Sequence, residues 1–87
     1  MKSVFTDKYN EFLQIMIAAR KQAGMTQQRL AELLNKPQSY VSKYERRERR
    51  LDVIEFLTIA NVLELDPCNV IKQIDCLISP DSHKESA

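Results

Sequence analysis

Between residues 26 and 45 the chain is spaced for two very short helices joined by a tight turn, and few folds accommodate that pattern. Thr26 suits an N-cap, because its hydroxyl can accept from a first-turn N–H that has no partner within the helix. Leu30, Ala31 and Leu34 then place one apolar stripe on a helix that ends near Leu34. Asn35 tolerates the left-handed conformation of a helix end, and Pro37 discourages continuation while suiting the first turn of the next helix. That next helix, over about 38–45, has only Val41 and Tyr44 as apolar positions, which leaves Gln38, Ser39, Ser42 and Lys43 to solvent.

The flanking segments supply what two such helices cannot bury alone. Tyr9, Phe12, Leu13, Met16 and Arg20 follow helical spacing, with Thr6 or Asp7 as cap and Gly24 as stop, so a first helix is expected over about 7–23. Asp52 and Glu55 form a capping-box pattern ahead of Phe56, Ile59, Ala60 and Leu63, the buried stripe of a fourth helix. Asp66-Pro67 opens a fifth, where Val70, Ile71, Ile74, Leu77 and Ile78 make a wide apolar face. No strand pattern or internal repeat competes. The expectation is an all-α, five-helix domain over residues 1–78, with a polar tail at 79–87. A chain of 87 residues can bury one modest core but not two.

The net charge of +1 says little about partners, whereas its distribution says more. Residues 43–50 set Lys43, Arg46, Arg47, Arg49 and Arg50 against Glu45 and Glu48. Residues 64–87 set Lys72 and Lys84 against Glu64, Asp66, Asp75, Asp81 and Glu85. Only the basic end suits phosphate. No apolar stretch approaches the roughly 18 residues of a membrane span, and no signal-peptide layout opens the chain, so a cytoplasmic protein without membrane partners is expected. Cys68 and Cys76 are read as buried or half-buried free thiols, and His83 as a solvated tail residue. With no nucleophile–base pair, carboxylate pair or metal-ligand spacing, neither enzymatic activity nor a cofactor or metal is expected. An RNA-binding reading lacks the aromatic stacking platform it would need.

A helix that reads DNA must enter the major groove, about 12 Å wide, with polar side chains toward the base edges. The helix over 38–45 has that character: a Gln can pair bidentately with adenine, and Ser can bond to several base edges or to phosphate. At this point Thr26-Gln27, Leu30-Ala31 and Val41-Ser42-Lys43-Tyr44-Glu45 resemble the helix-turn-helix of the phage Cro and repressor-like (Xre) family. Phe56, Ile59-Ala60, Leu63 and Asp66-Pro67 extend the resemblance over roughly residues 9–74.

The resemblance implies a Cro/repressor-like fold, with the helix-turn-helix formed by the second and third helices. It implies base reading by Gln38, Ser39 and Lys43, with Ser42 beside them, and phosphate contact by Gln27 at a helix N-terminus. Arg46, Arg47, Arg49 and Arg50 fall in the loop where the family meets the DNA backbone. Arg20 and Glu45 match a family ion pair joining the first helix to the end of the third. Tyr40 is left open between a DNA contact and packing on the second helix. Asn35, Arg47 and Glu64 stand where the family often has glycine, which puts the shape of those helix ends in question.

One such domain reads few base pairs, so a homodimer on a pseudo-palindromic double-stranded DNA operator is expected. Ile74, Leu77 and Ile78 are assigned to its seam, the alternative being that they close the monomer core with Phe5. The expected role is a stand-alone transcriptional regulator of repressor type. A DNA-binding antitoxin with a toxin partner, a restriction-modification controller, and a protein-interaction module that does not bind DNA are the alternatives. Gln38, Ser39 and Lys43 argue against the last, since an adaptor would present apolar anchors there.

Overall fold

The computed structural model describes the backbone of residues 4–78 and the side chains of residues 7–76. Its five helices are α1 (Val4–Gln22), α2 (Gln27–Leu34), α3 (Gln38–Glu45), α4 (Val53–Val62) and α5 (Pro67–Ile78), and no strand occurs among the described residues. None of these helices is long and apolar enough to cross a membrane. The fold class is therefore all-α, as the spacing predicts. The tail at 79–87, with His83, and the side chains of Phe5, Leu77 and Ile78 lie outside the described residues.

Local chemistry starts α2 and α4 where the sequence places their caps. The Thr26 hydroxyl accepts from the Arg29 N–H at 3.0 Å. Asp52 and Glu55 form a reciprocal box: Asp52 Oδ1 accepts from the Glu55 N–H at 2.8 Å, and Glu55 Oε1 from the Asp52 N–H at 2.9 Å. At α1 the expectation needs correction. The helix begins at Val4, so Thr6 lies inside it and Asp7 sits in its first turn rather than at a cap. No glycine or proline interrupts residues 4–22, and a first-turn carboxylate is favoured by the positive end of the helix dipole.

The first four helices all stop in the same way. Gly24, Asn35, Arg47 and Glu64 take positive φ, at 72°, 61°, 68° and 58°. In each case the next residue's N–H reaches five residues back: Met25 to Arg20, Lys36 to Ala31, Glu48 to Lys43 and Leu65 to Ala60, at 2.8–3.1 Å. This double-bonded Schellman ending satisfies carbonyls that the helix leaves open. The missing glycines do not reshape the helix ends. Arg47 and Glu64 hold the left-handed conformation despite a side-chain penalty of about 1–2 kcal/mol each.

The core forms where the apolar stripes meet. Leu13, Met16 and Ala19 of α1, Leu30 and Ala31 of α2, Val41 and Tyr44 of α3, Phe56, Ile59 and Ala60 of α4, Leu63 just beyond it, and Val70 of α5 are all buried. α2 packs on α3 and α4, while α5 packs on α1 and α4. Cys68 and Cys76 are free but exposed, which corrects the expectation of buried or half-buried thiols. At about 100° per residue, each is turned well over a quarter circle from Val70, the residue of α5 that points into the core.

Tyr44 is the one core residue with a polar tip, and its hydroxyl is buried without a hydrogen-bond partner among the described residues. Burial, and then the charge of Glu45, hold its phenol well above the ordinary value of 10.0. Tyr44→Phe removes an unpaired polar atom and is expected to raise stability by about 1–2 kcal/mol at pH 7. A phenol raised in the folded state contributes stability below pH 10 that is lost as the pH climbs above it, since the unfolded chain ionises first. Tyr44→Phe should remove that alkaline loss. Urea unfolding at pH 7 and pH 11 measures both, and a destabilised variant at pH 7 would show that the hydroxyl is well bonded.

Candidate nucleic-acid interface

α3 is held from behind and open in front. Val41 and Tyr44 are fully buried at its back, while Gln38, Ser39 and Lys43 are exposed and Ser42 is half-buried at the edge. The i, i+3 spacing of the two anchors fixes the helix, and Gln38, Ser39 and Lys43, off that stripe, face solvent. Two polar residues at the first exposed turn and a lysine one turn later make a row suited to hydrogen-bonding an edge of another molecule.

Behind that row runs a chain of polar side chains. Arg20 Nε donates to Glu45 Oε2 at 2.7 Å and its Nη2 to Oε1 at 3.1 Å, in a fork with side chains 10% and 6% exposed. The remaining Arg20 terminal nitrogen, Nη1, donates to the Met25 carbonyl at 2.8 Å, tying the pair to the loop between α1 and α2. Gln27 Nε2 donates to Glu45 Oε1 at 2.9 Å. Gln38 Nε2 in turn donates to Gln27 Oε1 at 3.5 Å. The family resemblance implies the pairing of Arg20 with Glu45 and puts Gln27 at the start of α2, but gives no sign that Gln27 links the ion pair to Gln38.

Every arginine of the loop after α3 is engaged, each in a different way. Arg46 forks onto Glu48 at 3.0 and 3.2 Å on the surface. Arg47 Nη1 donates to Asn10 of α1. Arg50 lies 4.4 Å over the Tyr9 ring, whose hydroxyl accepts from the Leu51 N–H at 3.3 Å. Arg49 grips Glu55 at 2.7 and 3.1 Å, donates to the Arg50 carbonyl at 3.0 Å and stacks 4.8 Å over Tyr40. The Arg49 fork, helped by the Asp52 N–H, holds the Glu55 carboxyl down at about 2.

Tyr40, left open by the sequence, is half-buried, stands edge-on to Tyr44 at 5.8 Å and lies below Arg49 and Lys36. Burial first, then the Glu55 charge, raises its phenol above the ordinary value. Tyr9, Asn10 and Glu55 are thus the loop's fasteners, and sequence reasoning missed them. The capping box accounted for Glu55 and the helical stripe for Tyr9, so neither left a residue in search of a role.

Away from this face, the α4–α5 surface is apolar and open. Val53, Leu57 and Ile71 are 63%, 44% and 51% exposed, and with Phe56, Pro67, Cys68 and Lys72 they line one groove. Ile74, half-buried, lines a neighbouring groove that also contains Val53, Phe56 and Ile71.

Comparison with known proteins agrees with this geometry. Residues 16–68 match the family described as Helix-turn-helix. The structure is similar to that of an XRE-family like protein from Pseudomonas syringae pv. tomato str. DC3000, with 38% identity and a TM-score of 0.82. The match covers 87% of this chain and 93% of that one. No curated protein sequence matches.

Proposed function

The chain belongs to the Xre-like helix-turn-helix family of DNA-binding regulators, and from that premise we propose that it represses transcription as a homodimer on a pseudo-palindromic operator. The observation that carries the reading is α3 itself, anchored by Val41 and Tyr44 and presenting Gln38, Ser39 and Lys43 outward. In this reading those three residues and Ser42 contact base edges in the major groove, and Gln27 contacts a phosphate from the start of α2. The working unit is the domain over residues 1–78, with 79–87 as a tail.

The arginine loop supplies the sequence-independent part of binding. Arg46, Arg47 and Arg50 meet the backbone while Asn10 and Tyr9 hold the last two in place. Arg46 and Arg49 must each exchange part of a carboxylate fork for phosphate, and the Arg49–Glu55 fork is the shorter and less exposed of the two, so the share of Arg49 is the smallest. Each phosphate neutralised releases counterion, which makes affinity fall steeply as salt rises.

Dimerisation is assigned to the α4–α5 surface. Ile74, Leu77 and Ile78 form the seam, continued by the exposed Ile71, Val53 and Leu57. A two-fold interface must complement itself, and a groove lined by Val53, Phe56, Leu57, Pro67 and Ile71 does so through apolar contact, with Lys72 as the charged member of its lining. The two copies of α3 then lie about 34 Å apart, one turn of duplex.

Selection of bound sequences from random duplexes tests the reading. The chain should enrich a two-fold motif. Gln38→Ala should relax one base pair per half-site by about 1–3 kcal/mol, while Arg46→Ala should weaken all sequences alike and lower the salt slope by about one. Failure of the wild-type chain to enrich any motif would overturn the proposal in favour of a protein-interaction role.

A further inference from the structure

A glutamine side chain can place its amide in two ways, and at Gln27 only one is allowed. Glu45, forked onto Arg20, is a carboxylate that accepts and cannot donate, so Gln27 must turn Nε2 toward it, as it does at 2.9 Å. Gln27 Oε1 is thereby left toward Gln38, which meets it with Nε2 at 3.5 Å, the longest link of the chain. The direction of each amide is therefore set from the buried end outward. Gln38 arrives at the surface with one N–H committed to Gln27, leaving its other N–H and its carbonyl oxygen.

That remaining pair has a definite complement. Adenine offers the major groove an acceptor at N7 and a donor at N6, whereas guanine offers two acceptors, N7 and O6. One N–H and one carbonyl satisfy adenine, and against guanine the carbonyl opposes O6. An unrestrained glutamine could instead turn both N–H groups toward guanine.

We infer that Glu45, acting through Gln27, is a positioning residue for specificity: it fixes the amide of Gln38 so that adenine is chosen over guanine at the base pair Gln38 contacts. The inference rests on the reading of α3 as the base-reading helix. It adds that the choice of base is set by a carboxylate which itself touches no DNA.

The test measures binding of the full chain to its selected duplex and to a copy carrying guanine in place of adenine at the Gln38 position. Glu45→Gln keeps the shape but lets position 45 donate or accept, which frees the polarity of Gln27. Its adenine-over-guanine preference is expected to fall about tenfold at that base pair alone, within what one bidentate contact is worth. Adding Gln38→Ala to Glu45→Gln should cost nothing further at that base pair beyond Gln38→Ala alone.

Gln27→Leu cuts the same relay while leaving the Arg20–Glu45 pair in place, so it carries the test if Glu45→Gln does not fold. It should lose the same preference together with some uniform affinity. Unchanged preference in a folded relay variant overturns the inference, and so does an equal loss at every base pair, the mark of a purely structural role. A wild-type chain that selects no motif, or a Gln38→Ala variant that relaxes no single base pair, would overturn the base-reading proposal first.

Discussion

Glu45→Ala is expected to cost about 3–5 kcal/mol of folding stability, a large part of what a domain of this size possesses. The guanidinium left behind is on a residue only 8% exposed, and it would lose both bonds of its fork while keeping just the Met25 carbonyl. Gln27 Nε2 would lose its acceptor as well. The loss therefore measures a stranded charge more than the worth of the pair. A double variant, Arg20→Met with Glu45→Leu, replaces both partners with apolar groups and should recover most of the stability. It should not recover the adenine-over-guanine preference at the Gln38 base pair, because Gln27 and Gln38 would have lost their orientation. Urea unfolding followed by circular dichroism reads the stabilities. A loss below about 1 kcal/mol for Glu45→Ala, the value of a solvated pair, would show that water reaches the guanidinium.

This pair illustrates what could be read in the chain and what could not. Helices α2 to α5 were legible because their signals are local: a capping hydroxyl, a capping box, a proline at a first turn, an apolar stripe at helical spacing. The start of α1 was not, because Thr6 and Asp7 resemble a cap equally well from inside a first turn. Cap-forming residues mark a helix start only when the chain before them is not helical.

The helix ends make a related point. Arg47 and Glu64 adopt the conformation expected of glycine because the surrounding carbonyls and packing demand it, which no propensity for Arg or Glu could disclose. The exposed cysteines depart from what their residue type suggests: free cysteine is usually buried, but here position on α5 decides.

The candidate interface divides along the same line. Gln38, Ser39 and Lys43 could be named from spacing as exposed positions, since only Val41 and Tyr44 anchor this short helix and polar residues off their stripe are left to solvent. The partners of the arginines could not. Arg47 meets Asn10 across 37 residues, and Arg49 meets Glu55, a residue already accounted for as half of a capping box. Charge runs announce a basic surface but not which of its members are already held by carboxylates.

Ile71→Glu is expected to separate the two subunits and to lower affinity for a two-fold operator by roughly 10²–10⁴, the advantage of binding two linked half-sites. Ile71 lies 51% exposed in the single chain, so the substitution should change the monomer's own stability by no more than about 0.5 kcal/mol. Across a two-fold seam the same change acts twice, burying a carboxylate in each half of an apolar groove lined by Val53, Leu57 and Pro67. Leu33→Glu is the control. Leu33 is 43% exposed, on α2 and not among the residues lining that groove, so its replacement should leave the dimer intact.

Sedimentation of wild type and both variants gives the subunit mass, and titration of palindromic and single half-site duplexes gives the coupling. Ile71→Glu should bind a half-site as wild type does while losing its preference for the palindrome. The separation of the two effects matters, because a variant that merely misfolds loses both. A dimer that survives Ile71→Glu would place the seam elsewhere and leave this apolar surface for another partner.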